Sequence, residues 1–367
     1  MAVTAHFVDK DWKVQKRIIS FSVFPHPHNG VNIAKALEWG LDKVFTITLD
    51  NAKNNDICVQ DLVTRLNRRN AFLLQGEFFH IRCFAHVLNL VVRAGIEKTK
   101  VTVKRLRRSV KYVRSSPSRF QAFKKCVEDE GIPTKKYLCL DVKTRWNSSY
   151  LMINAALGFR KAFERLEDID SFYKEKVDHV LDSDWNKLNS LHIFLKDFYD
   201  ITMRVSGSCY VTSTTYMDEI KRTKAILDMH VESADYELRA MALLMNEKFE
   251  KYCKIENVNP ILLAAMVLDP RNKMQYAVWM FKKYWGVHLV DGLVAQLKDF
   301  MTRLYNQYKQ QDKALGISTS KRTLTDLQTS PGNQQVSDGD RAEFNQYLME
   351  IERLWQETLQ AYQLEGL

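Results

Sequence analysis

Residues 44–51 read Val-Phe-Thr-Ile-Thr-Leu-Asp-Asn, a short apolar run that ends on Asp50. The run is rich in β-branched and aromatic residues, which predicts a buried strand. In α/β proteins, the carboxyl end of a buried strand often carries ligand-binding or catalytic groups. The alternative is that Asp50 only caps the turn that follows, as Asp and Asn often do.

The segments around this strand predict a mixed α/β unit followed by a helical one. Residue spacing predicts strands at 2–8, 12–24 and 77–82, and helices at 31–42, 56–70 and about 84–114. Later segments have mainly helical periods. The predicted units are an α/β domain at 1–134, a helical domain at 135–311, a disordered linker at 312–341 and a C-terminal helix at 342–367. This last helix is either a docking segment or the start of another domain.

The composition favours a polyanionic partner in a reducing compartment. The chain has 367 residues, a formal net charge of +10 and 46% hydrophobic residues, so it can form a packed core and attract nucleic acid. No stretch approaches the roughly 20 apolar residues of a membrane-spanning helix. The six cysteines are scattered, which predicts free thiols. We therefore expect an intracellular protein, located in the nucleus if its partner is DNA, with no membrane partner.

One segment concentrates positive charge. Residues 98–125 contain eleven Lys or Arg and no acid, with Val103, Leu106, Val110 and Val113 forming an apolar stripe. A run of one sign repels itself unless it is neutralised, and DNA phosphates could neutralise it. The alternative is an ordinary solvated helix face. The residues assigned here to phosphate binding are Lys104, Arg105, Arg107, Arg108, Lys111 and Arg114.

A second motif spaces three possible metal ligands evenly: His80, Cys83 and His86. A structural zinc site needs four ligands, usually in two pairs, and no second pair of suitable spacing exists in the sequence. The spacing therefore favours a buried cysteine and a hydrogen-bonded histidine over zinc. There is also no Gly-rich phosphate loop and no G-x-S-x-G motif, which argues against nucleotide and serine hydrolysis.

A third motif places Arg145 and Trp146 at the start of a predicted helix, four residues after Asp141. A tryptophan beside an arginine can stack on a base while the arginine holds its phosphate. The alternative is a core tryptophan with a satisfied arginine, which the usual burial of tryptophan favours.

Four segments together resemble the hAT family of transposases, in particular its plant RICESLEEPER-like, BED-zinc-finger group. They are TAHFVDKDWKVQKRIISF (4–21), VFTITLDNAKNND (44–56), RCFAHVLNLVV (82–92) and DVKTRWNSSYLM (141–152). The resemblance extends over about residues 1–310. It implies an α/β fold with an RNase H-like mixed sheet, interrupted by a large all-α insertion domain.

The resemblance also implies roles for individual residues. In the family, a DDE triad of acids binds two Mg²⁺ ions and cuts DNA. Asp50 matches the second acid, and Cys83 and His86 match a C-x2-H motif near the active site. Arg145 and Trp146 match an Arg-Trp motif that handles a hairpin end and its flipped base. His86, Arg145 and Trp146 therefore join the expected DNA-binding residues.

The departures from the family pattern shape the expected function. The family's first acid lies on a strand before the 4–21 hairpin, and its BED finger is N-terminal. Its third acid belongs to a C-terminal dimerisation region that follows a segment like 342–349. This chain therefore resembles the middle of a transposase, and 342–367 resembles the start of a truncated dimerisation region. We expect an incomplete sheet that lacks its first, central strand. The hairpin should then either pair with the Asp50 strand or pack poorly.

One acid of three cannot hold two metal ions. We therefore expect Asp50 to be a residual, weak metal ligand, with no tightly bound cofactor; Mg²⁺ belongs to active family members. The expected function is that of a catalytically inactive, transposase-derived protein that binds DNA mainly through phosphate contacts. Its expected partners are DNA and other transposase-derived proteins. The alternatives are a protein-interaction module and, less favoured, an active DDE-type transposase.

Overall fold

The structure is a computed structural model that describes residues 1–24, 27, 29–37, 44–69, 71–133, 137–207, 212–314 and 342–349. The strands are β1 (Ala2–Val8), β2 (Val14–Phe21), β3 (Ile47–Leu49) and β4 (His80–Arg82). The helices of the first part are α1 (Gly30–Leu37), α2 (Lys53–Asn67), α3 (Phe84–Ile96), α4 (Lys100–Val113) and α5 (Pro117–Asp129). Those that follow are α6 (Trp146–Leu157), α7 (Arg160–Ile169), α8 (Ser171–Lys176), α9 (Asp182–Val205), α10 (Tyr216–Val231), α11 (Tyr236–Cys253), α12 (Pro260–Leu268), α13 (Lys273–Trp285) and α14 (Val287–Ala314).

The strands form two separate pairs. β1 and β2 make an antiparallel hairpin, and β3 and β4 lie parallel, with Leu49 opposite Arg82. Within the described ranges the hairpin does not join β3, so no larger sheet forms there. The structure thus confirms the broad class, small sheets beside a mainly helical region, and the expected hairpin.

The hairpin contributes no residue to the core. Most of its large apolar side chains are exposed, with Ile18 70% exposed and Phe21 87% exposed, while Val3 and Ile19 are half-buried. Trp12, in the turn between the strands, is 87% exposed. Of the two predicted outcomes, pairing with the Asp50 strand is wrong for the described residues, and poor packing of the hairpin is confirmed. The reason is that a two-stranded ribbon has no second layer to cover either face.

The buried side chains form two clusters that meet near residue 80. The smaller cluster joins α1 and α2 to the segment before β4, and it includes an edge-to-face pair of Phe72 and Phe79 with ring centroids 4.6 Å apart. The larger cluster extends from Phe84 to Phe344 and therefore includes α3, α4 and α5. The apolar faces of these three helices therefore pack in the same core as the later helices.

Two further differences concern helix ends. The predicted helix at 84–114 is interrupted by a short 3-10 turn at Glu97–Thr99, which separates α3 from α4. At the other end, α14 continues through Ala314, so residues 312–314 are helical rather than part of the predicted linker. The rest of that predicted linker, residues 315–341, lies outside the described residues.

A helix at residues 342–349 packs against α13. Phe344 is 2% exposed, and its ring centroid lies 5.1 Å from that of Tyr276 and 5.5 Å from that of Trp279. Glu343 forms an ion pair with Lys283. The sequence offered this helix as a docking segment or the start of another domain; its described turns dock on their own chain. Residues 350–367 lie outside the described residues.

Two simpler expectations can also be compared with the structure. Cys58, Cys83, Cys126, Cys139 and Cys253 are all free thiols, as predicted, while Cys209 lies outside the described residues. In the parts of the chain that the structure describes, every helix is too short or too polar to cross a membrane.

Candidate nucleic-acid interface

Helix α4 carries most of the predicted phosphate-binding residues. Its inner face has the predicted apolar stripe, because Val103, Leu106, Val110 and Val113 are each no more than 2% exposed. This stripe belongs to the larger hydrophobic core. The amphipathic pattern is therefore confirmed, and the basic side chains project from the remaining faces of the helix.

Arg107 is bound by a buried carboxylate of its own chain. Its Nε and Nη2 atoms donate to Asp141 at 2.7 and 2.6 Å, and the Asp141 side chain has no exposed surface. Ser149 donates a third hydrogen bond to Asp141 at 2.6 Å. Burial alone would raise the pKa of Asp141, but the hydrogen bonds from Arg107 and Ser149 outweigh it and lower that pKa.

Arg105 and Arg108 share a second carboxylate. Arg105 Nε donates to one oxygen of Asp178 at 3.1 Å, and Arg108 donates to the other oxygen. Arg105 also contacts Asp184, a 3%-exposed acid on α9, at 3.3 Å. The hydrogen bond to Asp178 is the main cause that raises the pKa of Arg105.

The basic side chains of α4 therefore differ in whether they have a partner within the chain. Arg114 donates to the carbonyl oxygen of Leu138, so each of the four predicted arginines has a contact within the chain. Lys104 and Lys111 are exposed, and no acid among the described residues pairs with them. The run is therefore not left entirely to an external polyanion, because acids more than thirty residues away bind Arg105, Arg107 and Arg108.

Asp50 holds the start of α2. Its Oδ1 atom accepts hydrogen bonds from the backbone of Ala52 at 2.9 Å and from Asn55 Nδ2 at 2.7 Å. These contacts fit the capping alternative. Within the described ranges, no three His, Cys, Asp or Glu side chains converge as a metal site would require.

Cys83 lies beside Asp50 at the same edge of the small sheet. The backbone N–H of Cys83 donates to Leu49 at 2.8 Å, and Cys83 is the residue before the first turn of α3. His86 lies half-buried in that first turn. His80 precedes them on β4, where burial lowers its pKa. Asp50, Cys83 and His86 thus all follow the carboxyl ends of the paired strands β3 and β4, but they do not form a metal-binding cluster.

Arg145 and Trp146 are neighbours in sequence but differ in burial. Trp146 is 3% exposed, and its indole packs 6.4 Å from the ring of Tyr150. Asn89 accepts a hydrogen bond from its backbone N–H at 3.3 Å. Arg145, in contrast, is exposed. The burial of Trp146 fits the core alternative that its residue type favours, and base stacking by Trp146 stays a prediction.

Sequence reasoning missed the acids that neutralise α4. Asp141 was noted only as part of the Arg-Trp motif, and Asp178 and Asp184 carried no recognisable signal. They reach α4 because α9 and the segments before α6 and α9 fold back onto it. Residue spacing along the chain cannot report such a contact.

Three family models match the chain in order. One described as the ZBED1 RNase-like domain matches residues 1–78, and one described as the ZBED1 RNase-like helical domain matches residues 81–194. A third, described as the hAT-like transposase, RNase-H fold, matches residues 214–308. The class of protein is thus that of hAT-like transposases.

The similar proteins narrow this class. The chain is 32% identical to "Zinc finger BED domain-containing protein RICESLEEPER 2" of Oryza sativa over 96% of its length, and 30% identical to "Putative AC transposase" of Zea mays over 96%. It is 28% identical to "Zinc finger BED domain-containing protein DAYSLEEPER" of Arabidopsis thaliana over 95%. These matches cover 49%, 43% and 48% of the three relatives, so the chain spans a little under half their length. The chain belongs to the hAT transposase family, with the RICESLEEPER proteins among its relatives, as its motifs predicted.

Proposed function

We propose that the chain is a transposase-derived DNA-binding protein that contacts the DNA backbone through the exposed lysines of α4. The observation that carries the proposal is that Lys104 and Lys111 project without an acidic partner among the described residues, while the nearby arginines are held in place. The two lysines are two helical turns apart, about 10 Å along the axis, and share one face.

Backbone contacts of this kind give affinity without reading sequence. Lysine ammonium groups bind phosphate oxygens as point charges and carry no information about the bases. We therefore propose weakly sequence-selective binding that depends strongly on salt. The exposed Arg145 is a further contact, whereas Trp146 contributes through the core. The nucleus follows as the proposed location, because that is where the chain would meet DNA.

The test is fluorescence anisotropy with a labelled DNA duplex and the double variant Lys104→Gln, Lys111→Gln. A matched control is Lys248→Gln, Lys298→Gln, which removes the same charge from exposed positions on α11 and α14. We expect the α4 variant to bind roughly tenfold more weakly and the control to bind within about twofold of the unaltered protein. If both variants lost DNA affinity equally, the effect would come from the net charge of the protein and not from α4, which would contradict the proposal.

We also propose that the described region does not cleave DNA. Asp50 uses one carboxylate oxygen to hold α2, and no cluster of acids surrounds it among the described residues. Two-metal chemistry needs several ligands placed around two ions about 4 Å apart. Incubation of the protein with supercoiled DNA and Mg²⁺ or Mn²⁺ should leave the DNA intact. Metal-dependent cleavage that disappears in Asp50→Ala would overturn this point.

A protein-interaction module is the second candidate, and the hairpin favours it. Phe7, Trp12, Ile18 and Phe21 are all exposed, which is an unusual concentration of apolar surface on one ribbon. The sequence instead suggested the final helix as the docking surface, but its described turns cover their own chain through Phe344. Partner capture that resists nuclease treatment, together with no DNA gel shift, would favour this candidate over DNA binding.

A further inference from the structure

Asp178 lies between two arginines as a phosphate group would. Its two carboxylate oxygens are taken separately, Oδ1 by Arg105 at 3.1 Å and Oδ2 by Arg108. Each guanidinium group binds one oxygen of the same anion. This arrangement also suits the two non-bridging oxygens of a phosphodiester. Lys104, one turn before Arg108 on α4, is exposed and has no acidic partner within the described ranges.

Arg105 does not depend on Asp178 for its position. Its Nη1 atom contacts Asp184 Oδ2 at 3.3 Å. Asp184 is itself fixed by hydrogen bonds from Thr102 Oγ1 and from the backbone N–H of Leu181, both at 3.0 Å. The guanidinium therefore stays in place if the anion in front of it changes, which is what a preorganised binding site requires.

The Asp178 side chain is also not needed to hold its own loop. The next two residues anchor the backbone: His179 is 7% exposed with its ring 4.8 Å from Tyr173, and the N–H of Val180 donates to Ser109 at 3.0 Å. The Asp178 side chain itself is 50% exposed. Exposed ion pairs stabilise a fold only slightly, so a stronger anion can displace this carboxylate with little loss.

We propose that Arg105 and Arg108 form a binding site for a backbone phosphodiester, and that Asp178 occupies this site when no nucleic acid is bound. The site rests on the proposed DNA-binding function and extends it beyond Lys104 and Lys111. A nucleic-acid phosphate enters as the Asp178 side chain rotates towards solvent. Asp178 thereby lowers the affinity of the resting protein for nucleic acid.

The test compares Asp178→Asn with Glu175→Gln by anisotropy on the same DNA duplex. Both variants remove one negative charge, but Glu175 is an exposed residue of α8 with no ion pair among the described residues. We expect Asp178→Asn to bind DNA at least about threefold more tightly than Glu175→Gln, because one competing anion has left the site. Adding Arg108→Gln to Asp178→Asn should remove this gain. If the two single variants bound DNA with equal affinity, the proposed phosphate site at Arg105 and Arg108 would be refuted.

A second readout separates this site from the wider proposal. Inorganic phosphate should raise the Tm of Asp178→Asn more than that of Glu175→Gln, because a preformed anion site binds it. If no variant binds DNA but phosphate stabilises Asp178→Asn selectively, the anion site holds and the proposed DNA-binding function fails. If DNA binding depends on Lys104 and Lys111 while the two acid variants behave alike with DNA and with phosphate, the site fails and the DNA-binding function holds.

Discussion

Replacing Arg107 by alanine should destabilise the fold, although Arg107 belongs to the basic run that looks like a DNA contact. The change leaves Asp141 ionised with no exposed side-chain surface, and Ser149 as its remaining side-chain donor. Removing one partner of a buried ion pair typically costs 3–5 kcal/mol. Because the Arg107 side chain is 23% exposed and Ser149 still donates, we expect a loss of about 3 kcal/mol.

The reciprocal change should cost less. In Asp141→Asn the unpaired group is Arg107, which is 23% exposed and can turn towards water. In Arg107→Ala the unpaired group is a carboxylate whose side chain has no exposed surface in the unaltered fold. Urea unfolding at pH 7, monitored by circular dichroism, should therefore give a lower free energy of unfolding for Arg107→Ala than for Asp141→Asn. Lys104→Ala, an exposed substitution on the same helix, is the control and should shift stability by about 0.5 kcal/mol or less.

The pH dependence follows from the lowered pKa of Asp141. A carboxyl whose pKa is lowered by folding stabilises the protein above its unfolded pKa of about 3.9 and loses that contribution as the pH falls through the lowered folded value. In Arg107→Ala, acid neutralises the buried carboxylate, so the deficit against the unaltered protein should shrink towards pH 4. A deficit below about 0.5 kcal/mol at pH 7, or a larger loss in Asp141→Asn, would refute this reasoning.

Three other substitutions test the placement of single side chains. Trp146→Ala should lower stability by about 3–5 kcal/mol because the indole is buried; an unchanged urea midpoint with weaker DNA binding would show a stacking role instead. Phe344→Ala should cost about 3 kcal/mol and shift the Trp279 fluorescence to the red, because the 342–349 helix leaves α13. Asp50→Ala should cost about 1 kcal/mol, since Ala52 and Asn55 lose their acceptor, and should leave the DNA affinity in Mg²⁺ unchanged.

Local patterns predicted the local structure well. The apolar stripe of α4 repeats with the helical period, so its buried face could be assigned from the sequence alone. The hairpin also follows from alternation and turn residues. The strand before Asp50 exists but was predicted wrongly as buried: it extends only over Ile47–Leu49 and is at most half-buried. The sequence left two interpretations for Asp50, and the hydrogen bonds to Ala52 and Asn55 fit its capping role.

Contacts between distant segments account for what the sequence could not predict. The partners of Arg105 and Arg107 lie on segments that reach α4 only after folding, so a run of one sign seemed to lack counter-charges. The shared core of α3, α4 and α5 with the later helices escaped prediction for the same reason, since an amphipathic helix shows that it has a buried face but not which core covers it. Trp146 illustrates a motif whose chemistry suggested stacking while its burial depends on later helices.

The salt dependence of DNA binding tests the central claim most directly. Each lysine that neutralises a phosphate contributes about 0.9 to the slope of log K against log salt concentration. We predict that the Lys104→Gln, Lys111→Gln variant has a slope about 2 units shallower than the unaltered protein between roughly 50 and 200 mM salt. The Lys248→Gln, Lys298→Gln control should keep the original slope. A slope unchanged by loss of the two α4 lysines would contradict phosphate binding on that face.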